Sequence, residues 1–293
     1  MSAPTSDYGV LVAVDGSASD AAVRWACREA ADRDLPLTLM HVIAPVVVGW
    51  PVRYLQAGYR DWQENHAKQI IEHATKTAAS DDSQPTVAIE VRHGVVAAEL
   101  LAASQRARIT VVGSRRLGAV GARMLGSVSR ALVHYARNPV AIVHSDGGQP
   151  DSGLPVLLGI DGSPASEAAT AFAFEEASHR GVDLVSLHAW SDVAVVDYES
   201  EWGQQYYEQE GGELLAERLA GWQERYPDVH VWREVFCDRP AHWLIEKSRQ
   251  SQLVVLGSRG RGGFARLLLG SVSTEVAESS AAPVVVVRGT ATD

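Results

Sequence analysis

Two glycine-rich stretches combine residue types that can bind an anion. One runs from residue 253 to 273 with the sequence LVVLGSRGRGGFARLLLGSVS, and the other from 109 to 129 with ITVVGSRRLGAVGARMLGSVS, at a constant offset of 144 residues. In each, an apolar run ends in glycine, and a later glycine-serine pair opens a predicted helix. Glycine lets the backbone approach a ligand closely, and free N–H groups at a helix start favour negative charge. The spacing therefore predicts a phosphate-binding loop in each stretch.

A second polar feature follows the first predicted strand of each half. Asp15 lies in VAVDGS at residues 12–17, and Asp161 lies in the matching LGIDGS at residues 158–163. Asp-Gly-Ser is common turn chemistry, so each carboxylate either caps its own turn or contacts a ligand. Both lie at the predicted carboxyl end of a strand, where doubly wound sheets bind their ligands. That position favours the ligand role.

The elements that must position these residues repeat along the chain. Short apolar runs alternate with helical patterns, which predicts right-handed crossovers and a parallel sheet covered on both faces. The predicted fold class is α/β, with two tandem doubly wound five-stranded parallel-sheet domains at 1–146 and 154–293 and a polar linker at about 147–153. The predicted strands are 10–14, 37–42, 87–91, 109–112 and 140–143, then 156–160, 183–189, 229–236, 253–256 and 284–287. The predicted helices are 19–33, 61–79, 97–106 and 127–136, then 166–180, 211–225, 241–250 and 271–279.

Composition narrows the function classes. The 293 residues are 46% hydrophobic and 21% charged, as expected for two globular domains, and the formal net charge is −10. Such a charge disfavours nucleic acids and anionic membranes as partners. No apolar run reaches the length of a membrane span and no signal peptide is indicated, so we expect a cytoplasmic protein. Cys27 and Cys237 lack ligand spacing, and we expect no metal site built from protein side chains.

The glycines of the second half read Gly257, two residues, Gly260, nine residues, then Gly270-Ser271. This pattern resembles the G-2x-G-9x-G-S/T signature of the ATP-binding class of the universal stress protein family, and the likeness extends over both halves. The resemblance implies ATP, with Mg²⁺, in an α/β nucleotide cleft, the aspartate at the adenosine and the glycine-serine backbone along the triphosphate. The implied binding residues are Asp15, Val42, Gly113, Arg116, Gly126, Ser127 and Val128 in the first half, and Asp161, Gly162, Ala189, Gly257, Gly260, Gly270, Ser271, Val272 and Ser273 in the second.

The first half departs from this signature at one position. Gly113, Gly126 and Ser127 match, but Arg116 stands where the second glycine belongs. A side chain there either blocks the close approach of the backbone or offers a cationic contact to phosphate. The sequence therefore predicts nucleotide binding more firmly for the second half than for the first.

Three functions are compatible with these features. The first is an ATP-binding regulator of stress response, growth or persistence, without catalytic residues. The second is a slow ATP hydrolase that uses the same cleft, although the G-x-x-x-x-G-K-[ST] loop is missing. The third is a structural role with a degenerate cleft. Because the family commonly pairs domains through their last strands, the resemblance also implies an intrachain pseudo-dimer through PVAIV and PVVVV, and a homodimer of chains.

Overall fold

The fold is described from a computed structural model over residues 7–16, 19–45, 53–114, 124–145, 151–190, 201–260 and 269–289. Side chains at 53–57, 190 and 201–208 lie outside this description. The chain divides into two compact units, Met1–Asp146 and Gly147–Asp293. The predicted domain limits, with a linker at 147–153, stay predictions.

The first unit alternates strands with helices. Its elements are β1 (Val10–Ala13), α1 (Asp20–Asp32), β2 (Leu37–Ile43), α2 (Arg53–Ala79), β3 (Val87–His93), α3 (Val96–Ser104), β4 (Ile109–Ser114), α4 (Ser127–Tyr135) and β5 (Val140–His144). The strands are ordered β3-β2-β1-β4-β5, and the described pairs are parallel. The strand order reverses between β1 and β4, which is where doubly wound sheets form a binding crevice.

The second unit repeats this arrangement. Its elements are β6 (Val156–Gly159), α5 (Pro164–Arg180), β7 (Leu184–Trp190), α6 (Glu201–Arg225), β8 (Val231–Cys237), α7 (Pro240–Lys247), β9 (Leu253–Gly257), α8 (Ser271–Ser279) and β10 (Val284–Val287). The order is β8-β7-β6-β9-β10 with parallel described pairs, and the reversal falls between β6 and β9. The predicted fold class, two tandem doubly wound parallel sheets, is confirmed.

The central strands are apolar on both faces because helices cover both sides of each sheet. Val10, Leu11 and Val12 of β1 are fully buried, as are Val156, Leu157 and Leu158 of β6. Continuous runs of this kind suit a parallel strand buried on both faces. The sequence therefore places these two strands at the centre of their sheets, with their carboxyl ends facing the loops that follow.

Helix α5 has clear boundary residues. Ser163 is its N-cap and accepts a hydrogen bond from the backbone N–H of Ser166, and Pro164 occupies the first turn. At the other end Gly181 adopts the left-handed conformation, with φ +63°, and donates its N–H to carbonyl oxygens of the last turn. Among the described helices, none has the length and apolar character needed to cross a membrane.

Candidate functional site

The second unit carries the more fully described of two repeated sites. We define the second site as the Asp161-Gly162 turn after β6, the Gly257–Gly260 segment that ends β9, and the first turn of α8. Gly162 has φ +76°, which gives the chain a tight turn directly after the strand. The Oδ1 atom of Asp161 accepts the backbone N–H of Ser163 at 3.0 Å, and the Asp161 N–H donates to Ser166 Oγ at 3.3 Å. These bonds fix the carboxylate at the carboxyl edge of the sheet.

Ser163 connects this turn to the glycine loop. Its hydroxyl donates to the carbonyl oxygen of Arg259 at 2.9 Å while accepting the Ser166 N–H at 3.2 Å. The residue is 6% exposed, and its hydroxyl bonds two backbone groups at once. One side chain therefore caps α5 and holds the loop after β9 against the turn after β6.

Two glycines of the signature are needed for this close packing. A Cβ atom at Gly260 would collide with Oδ2 of Asp161. A Cβ atom at Gly257 would lie 2.7 Å from the carbonyl carbon of Ala165 and 2.8 Å from the Ser166 nitrogen. Because real Cβ contacts are not this short, any side chain at either position would push the loop away from α5 or from the carboxylate.

Helix α8 begins beside Gly260. Its N-cap Gly270 is extended, with φ −71° and ψ 151°, and has no side-chain capping bond within the described part of the chain. The Gly270 N–H donates to the Ser258 carbonyl at 2.9 Å. A Cβ atom added to Gly270 would lie 3.7 Å from the Gly260 nitrogen, so the two glycines are neighbours. The first-turn N–H groups of a helix have no partner within the helix. Ser271 and Val272 therefore present their amides next to the glycine loop.

Ser273 and Ala189, two further residues of the predicted site, lie at the ends of elements that border it. Ser273 is buried, and its hydroxyl donates to the Gly257 carbonyl at 2.7 Å, which ties α8 to the end of β9. Ala189 lies near the end of β7 and is half-buried. The preceding residue, His188, donates from Nδ1 to the Ile160 carbonyl at 2.6 Å, which holds the end of β7 beside the Asp161 turn.

The first unit brings together the corresponding residues, which we call the first site. Asp15 is exposed after β1, and its Oδ1 accepts the Ser19 hydroxyl at 2.8 Å while its N–H donates back to Ser19 Oγ at 3.0 Å. Val42 is buried in β2, and His41 donates from Nδ1 to the Val14 carbonyl at 2.8 Å, as His188 does in the repeat. Among the described residues, Ser19, the residue before α1, thus holds the Asp15 carboxylate.

The phosphate side of the first site is only partly described. Gly126 is the extended N-cap of α4 and has no side-chain capping bond with a described residue, while Ser127 is exposed and Val128 half-buried. The Ser129 hydroxyl lies 3.5 Å from the Gly113 carbonyl, a longer contact than the matching 2.7 Å between Ser273 and Gly257. Arg116 lies outside the described residues.

Sequence reasoning missed the contribution of Ser163. The Ser-Pro pair after Asp161-Gly162 is a local signal for a helix N-cap. The bond from its hydroxyl to Arg259 spans 96 positions, so no local pattern could indicate it. Among the described residues no group of three His, Cys, Asp or Glu side chains is placed to hold a metal ion.

Comparison with known proteins is consistent with this arrangement. The model of the universal stress protein family matches residues 9–144 and 154–288. A universal stress protein of Mycolicibacterium smegmatis is 55% identical over 289 residues, which cover 97% of this chain and 98% of the relative. A universal stress protein of Mycobacterium tuberculosis is 48% identical over 98% of this chain and 99% of its own length.

A solved structure shows the same fold over nearly the whole length. The crystal structure of a universal stress protein from Archaeoglobus fulgidus has a TM-score of 0.71 and 19% identity, and the match covers 97% of this chain and 99% of that chain. The two matched segments, the full-length relatives and the fold agree. The chain belongs to the universal stress protein family and carries two tandem domains of that family.

Proposed function

We propose that the second site binds ATP and that the chain acts as a nucleotide-dependent regulator in stress response, growth control or persistence. The observation that carries the proposal is the close approach of Gly260 to the Asp161 carboxylate, next to the start of α8, where no described side chain caps Gly270. It brings a carboxylate and a set of backbone amides to one point at the switch of strand order. A ligand that suits both must be anionic at one end and rich in hydroxyl or amino groups at the other, as a nucleotide is.

The triphosphate would lie along the first turn of α8. The N–H groups of Ser271 and Val272 point out of the helix start, and the helix dipole adds favourable potential for negative charge. Gly260 and Gly270 lie next to each other beside this turn, since an added Cβ at Gly270 would be 3.7 Å from the Gly260 nitrogen. The exposed Ser271 hydroxyl adds one more donor to a phosphate oxygen.

The adenosine would lie between the Asp161 turn and the end of β7. A carboxylate accepts hydrogen bonds from the ribose hydroxyls, and the fixed Oδ1 leaves Oδ2 directed toward Gly260. Ala189 would contact the base through its backbone and methyl group. Mg²⁺ binds phosphate oxygens and keeps several waters, so the proposal requires no protein cage for the ion.

The experiment is nucleotide binding by the full chain. We expect adenine nucleotide in the purified protein by mass spectrometry, and saturable binding of Mg-ATP by calorimetry after the nucleotide is removed. Gly260→Ala should weaken binding at least about tenfold, equivalent to about 1.4 kcal/mol, because the new methyl group displaces the carboxylate or the loop. Gly212→Ala is the matched control, since a Cβ at Gly212 in α6 meets nothing within 4 Å.

Two results would count against the proposal. A protein free of nucleotide that shows no calorimetric ATP binding would refute it. So would a Gly260→Ala variant that binds ATP like the Gly212→Ala control. Incubation of the stoichiometric complex with Mg²⁺ separates a regulator from a slow hydrolase, because a hydrolase would convert the bound ATP to ADP over hours.

A further inference from the structure

Strand β3 is an exposed apolar edge of the first sheet. It pairs with β2 on one side and with no described strand on the other. Ile89 is 53% exposed and Val91 is 44% exposed on one face of β3, and Val95 is 65% exposed just after the strand. Long apolar edge strands invite pairing with another strand, and most proteins protect them with charge or proline.

The backbone of this edge is oriented for pairing. The Thr86 carbonyl accepts from Leu37 and the Gly94 N–H donates to Ile43, so even-numbered residues from 86 to 94 direct their hydrogen-bonding groups toward β2. In a parallel ladder the intervening residues direct theirs the other way. Ile89, Val91 and His93 therefore present N–H and C=O groups at the outer edge.

The corresponding edge strand of the second unit, β8, differs from β3 on this face. At the same offset of 144 residues, Arg233 replaces Ile89 and Arg239 replaces Val95, and both arginines are exposed. Charged side chains on an edge strand oppose pairing with another strand. On the face that carries Ile89 and Val91 in β3, β8 therefore carries a charged side chain, while its exposed Trp232 lies on the other face.

We propose that β3 pairs antiparallel with β3 of a second copy of this chain, around a two-fold axis at Val91. Only odd-numbered residues can form the outward hydrogen-bonded pairs, which restricts the register. With Val91 opposite Val91 of the second copy, Ile89 meets His93 and Val87 meets Val95. A symmetric pair of this kind forms a closed dimer, because each edge is used once.

Charge selects this register over its neighbours. With the axis at Val91, Glu90 faces Arg92 of the second copy on the opposite face of the sheet. An axis at Glu90 would place two glutamates together, and an axis at Arg92 two arginines, and like charges directly opposite destabilise a sheet. Within one chain Arg92 Nε already lies 2.8 Å from Glu90 Oε1, so the dimer would extend this pair into a four-charge network.

Disulfide trapping tests the register directly. In a hydrogen-bonded antiparallel pair the two Cα atoms lie about 5.5 Å apart, within the range of a disulfide. In a Cys237→Ser background, Val91→Cys should form a covalent dimer on mild oxidation, and Val235→Cys, at the equivalent position of β8, should stay monomeric on a denaturing gel. Equal cross-linking of the two variants, or none with Val91→Cys, would overturn the proposal.

The mass of the unmodified protein provides a second readout. Sedimentation should give twice the 31.5 kDa of one chain. Val91→Lys, a change at an exposed position, should return the protein to 31.5 kDa with an unchanged circular dichroism spectrum. A wild-type monomer at 100-micromolar concentration would show that the edge does not recruit a second copy, and a Val91→Lys dimer would show that another surface does.

Discussion

Ser163 illustrates how one hydroxyl supports the second site. It caps α5 and also binds the Arg259 carbonyl, so its loss affects both helix stability and the loop. We expect Ser163→Ala to lower the free energy of unfolding by about 1 kcal/mol, the usual effect of removing an N-cap. We also expect a weaker affinity for ATP, because the glycine loop loses its tie to the Asp161 turn. Chemical denaturation and calorimetry measure the two effects.

Gly181→Ala separates these effects. Gly181 ends the same helix with φ +63° and has open space around its Cα, so alanine there strains the backbone by about 1 to 2 kcal/mol without touching the second site. The two variants should therefore be destabilised to a similar degree, and only Ser163→Ala should bind ATP less tightly. If Gly181→Ala lost the same affinity, the effect of Ser163 would be one of stability alone.

Cys27 provides a prediction on pH. Its side chain is fully buried in α1, and burial, aided by the nearby Asp81 carboxylate, raises the pKa of the thiol from 9.0 to about 12. Below pH 9 the thiol is neutral in the folded and the unfolded protein. Above pH 9 the thiol of the unfolded protein ionises first, so the free energy of unfolding falls between pH 9 and 12. The wild type should lose up to about 1.4 kcal/mol per pH unit more than Cys27→Ala in urea denaturation from pH 8 to 10.5. Parallel pH dependence of the two proteins would contradict this.

The residues of the candidate site differ in how far the sequence could predict their positions. The glycine spacing and the repeat predicted that Gly257, Gly260 and Gly270 belong to one loop after a strand. In the structure Gly260 and Gly270 lie side by side after β9. The contact of Gly260 with Asp161 depends on β6 and β9 being neighbours, which is a property of the strand order. The spacing of residues along the chain does not give the distance between Gly260 and Asp161.

At the level of elements, the strand–helix pair β3–α3 and its repeat β8–α7 are held together by different kinds of side chain. In the first unit Arg92 of β3 pairs with Glu99 of α3 at 3.4 Å. At the same offset of 144 residues, Phe236 of β8 stacks on Trp243 of α7 with centroids 4.3 Å apart. The same packing position is thus filled by a partly exposed ion pair in one unit and by an aromatic pair in the other.

These two contacts should differ in their contribution to stability. Trp243→Ala removes a large half-buried ring and its stacking contact with Phe236, and we expect a loss of about 2 to 3 kcal/mol in the free energy of unfolding. Glu99→Gln removes a partly exposed ion pair, and we expect a change below about 1 kcal/mol. Urea denaturation compares the variants, and a larger loss for Glu99→Gln would show that the ion pair is the stronger contact.

Helix starts were the weakest sequence predictions at this level. The helices predicted at 61–79 and 211–225 begin at Arg53 and Glu201. Where their early parts are described, exposed side chains are frequent, at Tyr59, Trp62, Gln209 and Glu210. Exposed positions lack the hydrophobic pattern by which a helix is found in a sequence. The strands, of which the central ones are buried on both faces, were predicted within a few residues.

At the scale of the molecule, duplication gives two similar sheets and two repeated sites that differ in their described contacts. The second site has its turn tied to the glycine loop through Ser163, and a short Ser273–Gly257 contact. The first has a longer Ser129–Gly113 contact and an aspartate held by Ser19. This difference, with Arg116 at the position of the second glycine, leads us to expect one tight ATP per chain.

Hydrogen exchange of the full chain with and without Mg-ATP can assign that nucleotide to a unit. At a concentration about one hundred times the dissociation constant, ATP stabilises the binding form by about 2.7 kcal/mol, so amides of that unit should exchange about one hundredfold more slowly where exchange requires its unfolding. Peptides from β9 and α8 should gain this protection, whereas peptides from β4 and α4 should not. Equal protection in both units would mean that Arg116 contacts the phosphates, and Arg116→Gly would then reduce the protection of α4 alone.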